Sequence, residues 1–123
     1  MGKTILIVED EQNLVELLKF RLETNGYHVE VAFDGEDGLS KISTVKPDLV
    51  ILDIMMPKID GYEVLRRVKA DPKTKNIPII VLTARTQNKD IDQAKTLNAD
   101  SFIAKPFEPS QLLGEIERLL GDR

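Results

Sequence analysis

Five residues suited to phosphoryl chemistry stand at the ends of four short apolar runs. Thr4-Ile5-Leu6-Ile7-Val8 leads into Glu9-Asp10, and Leu49-Val50-Ile51-Leu52 leads into Asp53. Ile79-Ile80-Val81-Leu82 leads into Thr83, and Ser101-Phe102-Ile103-Ala104 into Lys105. Clustered carboxylates repel one another unless a cation joins them. Hard oxygen donors, with no cysteine and one remote histidine (His28), favour Mg²⁺ or Mn²⁺ over zinc. Asp53, behind four apolar residues, is no routine solvated charge and has the chemistry of a nucleophile toward phosphorus. The metal and the Lys105 ammonium would neutralise the equatorial oxygens, and the Thr83 hydroxyl would donate to one of them. No residue supplies an obvious general base for rapid hydrolysis, so an acyl phosphate on Asp53 is expected to persist. Each residue taken singly has a plainer reading: helix-start acids for Glu9 and Asp10, a cap for Thr83, a surface cation for Lys105.

Bringing these residues together requires a particular scaffold. The apolar runs are strand-length and are separated by helix-length segments, which implies a parallel sheet with ligands bound beyond its carboxyl ends. Residues 11–25 carry Leu14, Leu17, Leu18 and Leu22 at helical spacing, and Asn25-Gly26 stops that helix. Val29–Ala32 reads as a further strand, and a helix runs from Asp34-Gly35 to about Val45, with Leu39 and Ile42 facing inward. Asp60-Gly61-Tyr62-Glu63 has capping-box spacing and opens a helix that buries Val64, Leu65 and Val68. A fourth helix is expected from about Lys89 to Leu97, with Asn98 as a left-handed cap. The last carries the stripe Leu112, Leu113, Ile116, Leu119 and Leu120. The economical topology is a doubly wound five-stranded α/β sheet; periodicity alone leaves the strand order open.

The 123 residues fit one domain, with a core that needs no disulfide or metal staple. With 17 basic and 21 acidic residues the net charge is −4 and no Lys/Arg block marks a nucleic-acid face, so no direct nucleic-acid binding is expected. Cysteine is absent, which excludes thiol catalysis and Cys-ligated zinc. No apolar run approaches the roughly 20 residues of a membrane span, so a cytoplasmic protein without membrane contact is expected.

Taken in order, Ile7-Val8-Glu9-Asp10, Asp53-Ile54-Met55-Met56-Pro57 with Asp60-Gly61, Val81-Leu82-Thr83-Ala84 and Lys105-Pro106-Phe107 resemble the receiver domain of two-component response regulators. The resemblance spans essentially residues 1–123 as a single domain, and the joint motifs are highly specific. It implies strand order 2-1-3-4-5, as in the chemotaxis response regulator and flavodoxin. It makes Asp53 the phosphoacceptor and assigns the metal to Glu9, Asp10, Asp53 and the backbone carbonyl of Met55. Thr83 and Lys105 would contact the phosphoryl group, and Lys105-Pro106 would be cis. Thr83 and Phe102 would be the switch pair, displacing the surface of the fourth helix, fifth strand and fifth helix. The implied donor is a phosphohistidine on a sensor histidine kinase or a histidine phosphotransfer protein, in a two-component system or phosphorelay. The output partner or effector is unspecified. A monomer is expected, with phosphorylation-dependent dimerisation left open.

The chain departs from the family pattern at the metal pair, which is Glu-Asp where Asp-Asp is more frequent, so Glu9 is expected to reach the metal through water. Met55 and Arg85 occupy the positions that flank the phosphoryl group, and their bulk and charge are expected to hinder attacking water and lengthen its lifetime. A dehalogenase-type phosphatase would need a second Asp two residues after Asp53, where Met55 stands. A flavodoxin-like carrier would need a phosphate loop in place of Glu9-Asp10-Glu11 and more than 5% aromatics. The chain is therefore expected not to be an enzyme beyond its own phosphorylation and slow dephosphorylation. The runner-up is a pseudo-receiver, a purely structural module, which would lack part of the acidic or lysine set that this chain has in full. Without metal, three close carboxylates should cost stability, so removing one should raise it.

Overall fold

In the computed structural model, which describes residues 2–56, 59–84 and 87–121, strands and helices alternate along the chain. They are β1 (Thr4–Val8), α1 (Gln12–Thr24), β2 (His28–Ala32), α2 (Gly35–Val45), β3 (Leu49–Leu52), α3 (Gly61–Ala70), β4 (Ile79–Thr83), α4 (Asn88–Thr96), β5 (Ser101–Ala104) and α5 (Pro109–Leu120). The strands form one sheet in the order β2-β1-β3-β4-β5, with every neighbouring pair parallel. This is the doubly wound fold and the strand order expected from the sequence.

The apolar runs explain the layering. Every residue of β3 and β4 is buried, as a parallel strand covered on both faces requires. Successive side chains divide between two cores. Ile5, Ile7, Ile51, Ile80 and Leu82 pack with Leu18 and Leu22 of α1 and Leu112 and Ile116 of α5. Leu6, Val8, Leu52 and Val81 pack with Ile42 of α2, Leu65 and Val68 of α3, and Ala94 of α4. Each large aliphatic side chain so buried contributes about 1.5–3 kcal/mol.

Local chemistry sets the helix ends. The Asp34 carboxylate accepts from the Asp37 amide at 2.8 Å and starts α2. Asp60 does the same for α3, accepting from the Tyr62 amide at 2.7 Å. The expected capping box is not formed: the Asp60 carboxylate takes the Tyr62 amide, and the Glu63 side chain turns along the helix to Arg66 and Arg67 instead of back to the cap. Those two guanidiniums, Arg66 foremost, hold the Glu63 carboxyl at about 2. Asn98 follows α4 with φ +69°, the left-handed cap read from the sequence. One apolar position departs from expectation: Leu17 is 46% exposed, because Val15, Leu18 and Leu22 form the buried stripe and Leu17 lies to its side.

Candidate functional site

Register brings the chemistry to one place. Val8 and Leu52 are aligned partners at the ends of β1 and β3, so Glu9 and Asp53 each stand one residue beyond the sheet. Their backbones remain tied to it. The Glu9 amide donates to the Ala32 carbonyl and the Asp53 amide to the Val8 carbonyl, each at 3.0 Å. Thr83 closes β4, and the Lys105 amide donates to its carbonyl at 2.9 Å, which fixes where Lys105 leaves β5. The Lys105–Pro106 peptide bond is cis.

Glu9, Asp10 and Asp53 each present a carboxylate oxygen, all within 4.8 Å of one another. Glu9 and Asp53 are buried, whereas Asp10 is exposed. The Lys105 ammonium reaches across β4's end to the two buried acids, 2.9 Å from Glu9 Oε1 and 3.4 Å from Asp53 Oδ2. The remaining oxygens accept backbone N–H groups: Glu9 Oε2 from Glu11 and Asp53 Oδ1 from Met55, each at 3.1 Å. The cluster is thus partly neutralised by its own lysine, which spacing along the chain did not reveal.

The electrostatics follow from burial. Desolvation pushes the Glu9 carboxyl up to about 7, against the Lys105 hydrogen bond that lowers it, and the nearby Asp53 charge adds to the rise. Burial acts to lower the Lys105 pKa, but the hydrogen bond that its ammonium donates to Glu9 and the charges of Asp53 and Glu9 outweigh it, so the net shift is upward. The donor set fits a hard divalent cation: three carboxylates with one open to water, and no nitrogen or sulfur ligand in the cluster.

Thr83 is fully buried at the sheet edge. Phe102 pairs in register with Val81, and its half-buried ring packs on the core beneath α2, α3 and α4. Met55 is 52% exposed at the rim. Arg85 lies outside the described residues. His28 is exposed beside Glu30 at the start of β2, away from the cluster. Two features escaped sequence reasoning. Gly61 is pressed so closely on the loop after β3 that a Cβ there would lie 2.5 Å from Ile54 Cα. Tyr62 and Asp90 form a buried polar pair across α3 and α4.

Comparison with known proteins agrees with this geometry. The family model described as the response regulator receiver domain matches residues 5–117. The chain is 41% identical over 120 residues to the alkaline phosphatase synthesis transcriptional regulatory protein PhoP of Bacillus subtilis, covering 98% of this chain and 49% of that protein. It therefore spans about half the length of the curated relatives it matches. Among solved structures, it resembles a response regulator of Chloroflexus aurantiacus with a TM-score of 0.92 and 36% identity, over 98% of this chain and 99% of the other. It also resembles the receiver domain of the sensor histidine kinase PA1611 of Pseudomonas aeruginosa, with a TM-score of 0.90 and 28% identity over 99% and 100% of the two chains. That structure has a magnesium ion coordinated in its active site cleft.

Proposed function

This chain belongs to the family of response regulator receiver domains of two-component systems, and from that premise we propose that Asp53 is its phosphoacceptor. Glu9, Asp10 and Asp53, with the backbone carbonyl of Met55, would hold Mg²⁺ or Mn²⁺, which when bound supplies positive charge to the phosphoryl oxygens. The observation that carries this reading is the convergence of those carboxylates and Lys105 at one edge of the sheet.

The donor is a phosphohistidine of a sensor histidine kinase or a histidine phosphotransfer protein. A carboxylate oxygen of Asp53 attacks phosphorus, an O–P bond forms, and the N–P bond breaks as imidazole departs with its electron pair. The Met55 amide holds Asp53 Oδ1 and so orients the carboxylate for in-line approach. Lys105, already between Glu9 and Asp53, turns to a phosphoryl oxygen as a point charge, and the Thr83 hydroxyl donates to another. Thr83 and Phe102 then shift the surface of α4, β5 and α5 toward an output partner or a second copy. Met55 and Arg85 set how readily water reaches the acyl phosphate. The protein acts on no substrate other than its own phosphoryl group.

The test is intact-protein mass after incubation with acetyl phosphate and Mg²⁺, for the wild type and Asp53→Asn. The expected result is one phosphoryl adduct that needs both Mg²⁺ and Asp53. No adduct from acetyl phosphate or phosphoramidate would overturn the reading in favour of a constitutive interaction module.

A further inference from the structure

The buried pair Tyr62–Asp90 joins two elements that the phosphoryl chemistry needs to communicate. Tyr62 Oη lies 3.1 Å from the Asp90 backbone oxygen and 3.2 Å from its Oδ1, so one hydroxyl serves both acceptors across α3 and α4. Tyr62 and Asp90 are each only 7% exposed. In α4 the buried residues are Asp90 and Ala94 alone, so little apolar packing anchors that helix. An element held by few buried contacts is at the low-stability end of a fold, where a buried polar tie counts for more.

The other end of the tie is the phosphoacceptor loop. Gly61, the first residue of α3, donates its amide to the Ile54 carbonyl at 3.1 Å. A Cβ on Gly61 would lie 2.5 Å from Ile54 Cα and 2.6 Å from the Asp53 carbonyl oxygen. Backbone in such close contact transmits a displacement instead of absorbing it. A continuous path therefore runs from Asp53 and Ile54 through Gly61 and Tyr62 to Asp90 in α4.

We propose that the Tyr62 hydroxyl is a latch that holds α4 in its resting position and couples it to Asp53 through α3, in parallel with the Thr83–Phe102 route. The inference rests on Asp53 being the phosphoacceptor. Tyr62 is a positioning residue; its hydroxyl reaches α4 and not the carboxylate cluster. Releasing the latch lowers the cost of reaching the displaced position of α4, and a larger share of molecules in that state should also make Asp53 easier to phosphorylate.

The experiment has two arms on the full chain, comparing wild type, Tyr62→Phe and Asp90→Asn. Tyr62→Phe keeps the buried ring, and Asp90→Asn keeps both acceptor oxygens. In the metal-free, unphosphorylated protein, Tyr62→Phe should speed amide hydrogen exchange about tenfold across α4 while β1 and β3 amides stay unchanged, the scale of one lost hydrogen bond. Asp90→Asn should exchange like the wild type. With acetyl phosphate and Mg²⁺, the adduct on Tyr62→Phe should form several-fold faster. Exchange that is unchanged, or raised equally throughout the sheet, overturns the latch. Faster α4 exchange with an unaltered adduct rate overturns the coupling. A wild type that forms no adduct overturns the phosphoacceptor reading and the coupling with it, while the exchange arm still decides whether the hydroxyl holds α4.

Discussion

Glu9 makes the stability of the metal-free protein depend on pH in a direction opposite to that of most paired carboxylates. Its carboxyl is pushed from 4.5 in an unfolded chain to about 7 in the fold, first by burial and then by Asp53. A raised carboxyl stabilises the fold fully below the unfolded value, and that stability is lost as pH rises through the folded value. Across the whole window a shift from 4.5 to about 7 corresponds to about 3 kcal/mol. Between about pH 5.5 and pH 8 the loss is about 2 kcal/mol, or about 1 M in a urea midpoint, out of a total of about 5–15 kcal/mol for a domain. Glu63 and Glu115 are shifted downward and act in the opposite sense, but only below their ordinary range, outside this window. The assay is urea unfolding in chelator at several pH values for the wild type and Glu9→Gln, repeated with Mg²⁺. Stability should fall with pH in the wild type, the slope should vanish in Glu9→Gln, and Mg²⁺ should restore the alkaline loss because a cation favours the ionised carboxylate. A flat wild-type profile, or an equal slope in Glu9→Gln, would refute the reasoning.

The surrounding residues give further expectations. Lys105→Ala leaves two buried carboxylates facing each other and should destabilise the metal-free protein by about 3 kcal/mol at pH 8; the loss should shrink near pH 5, where Glu9 is protonated, as urea midpoints would register. Asp10→Ala removes one exposed member of the acidic cluster and should raise metal-free stability by about 0.5 kcal/mol in the same melts. Gly61→Ala forces a Cβ into backbone at Ile54 and Asp53; it should cost about 2 kcal/mol and slow phosphoryl adduct formation, read by melting and by intact mass. Asp60→Ala removes the acceptor for the Tyr62 amide and should cost about 1 kcal/mol, with little effect on the adduct rate.

Much of this molecule is legible in one dimension because its determinants are local. The apolar runs at Leu49–Leu52 and Ile79–Thr83 cannot be solvated, and their alternation with helix-length segments leaves a covered parallel sheet as the stable solution. Chain direction in a parallel sheet sends every strand's last residue to the same edge, so Glu9, Asp53, Thr83 and Lys105 could be grouped before any coordinates. The order of the strands came from family resemblance and not from periodicity, because β1, β3 and β4 are each apolar enough to take any of the central places. Tertiary structure alone decided how the site is neutralised. That Lys105 lies 2.9 Å from Glu9 and 3.4 Å from Asp53 depends on side-chain reach across residues 96 and 52 positions apart in the chain. It also decided that Glu63 leaves its cap for two arginines, that Leu17 stays exposed, and that Tyr62 finds Asp90. Such pairings are choices between partners of similar local chemistry, and only the packing of distant elements distinguishes them.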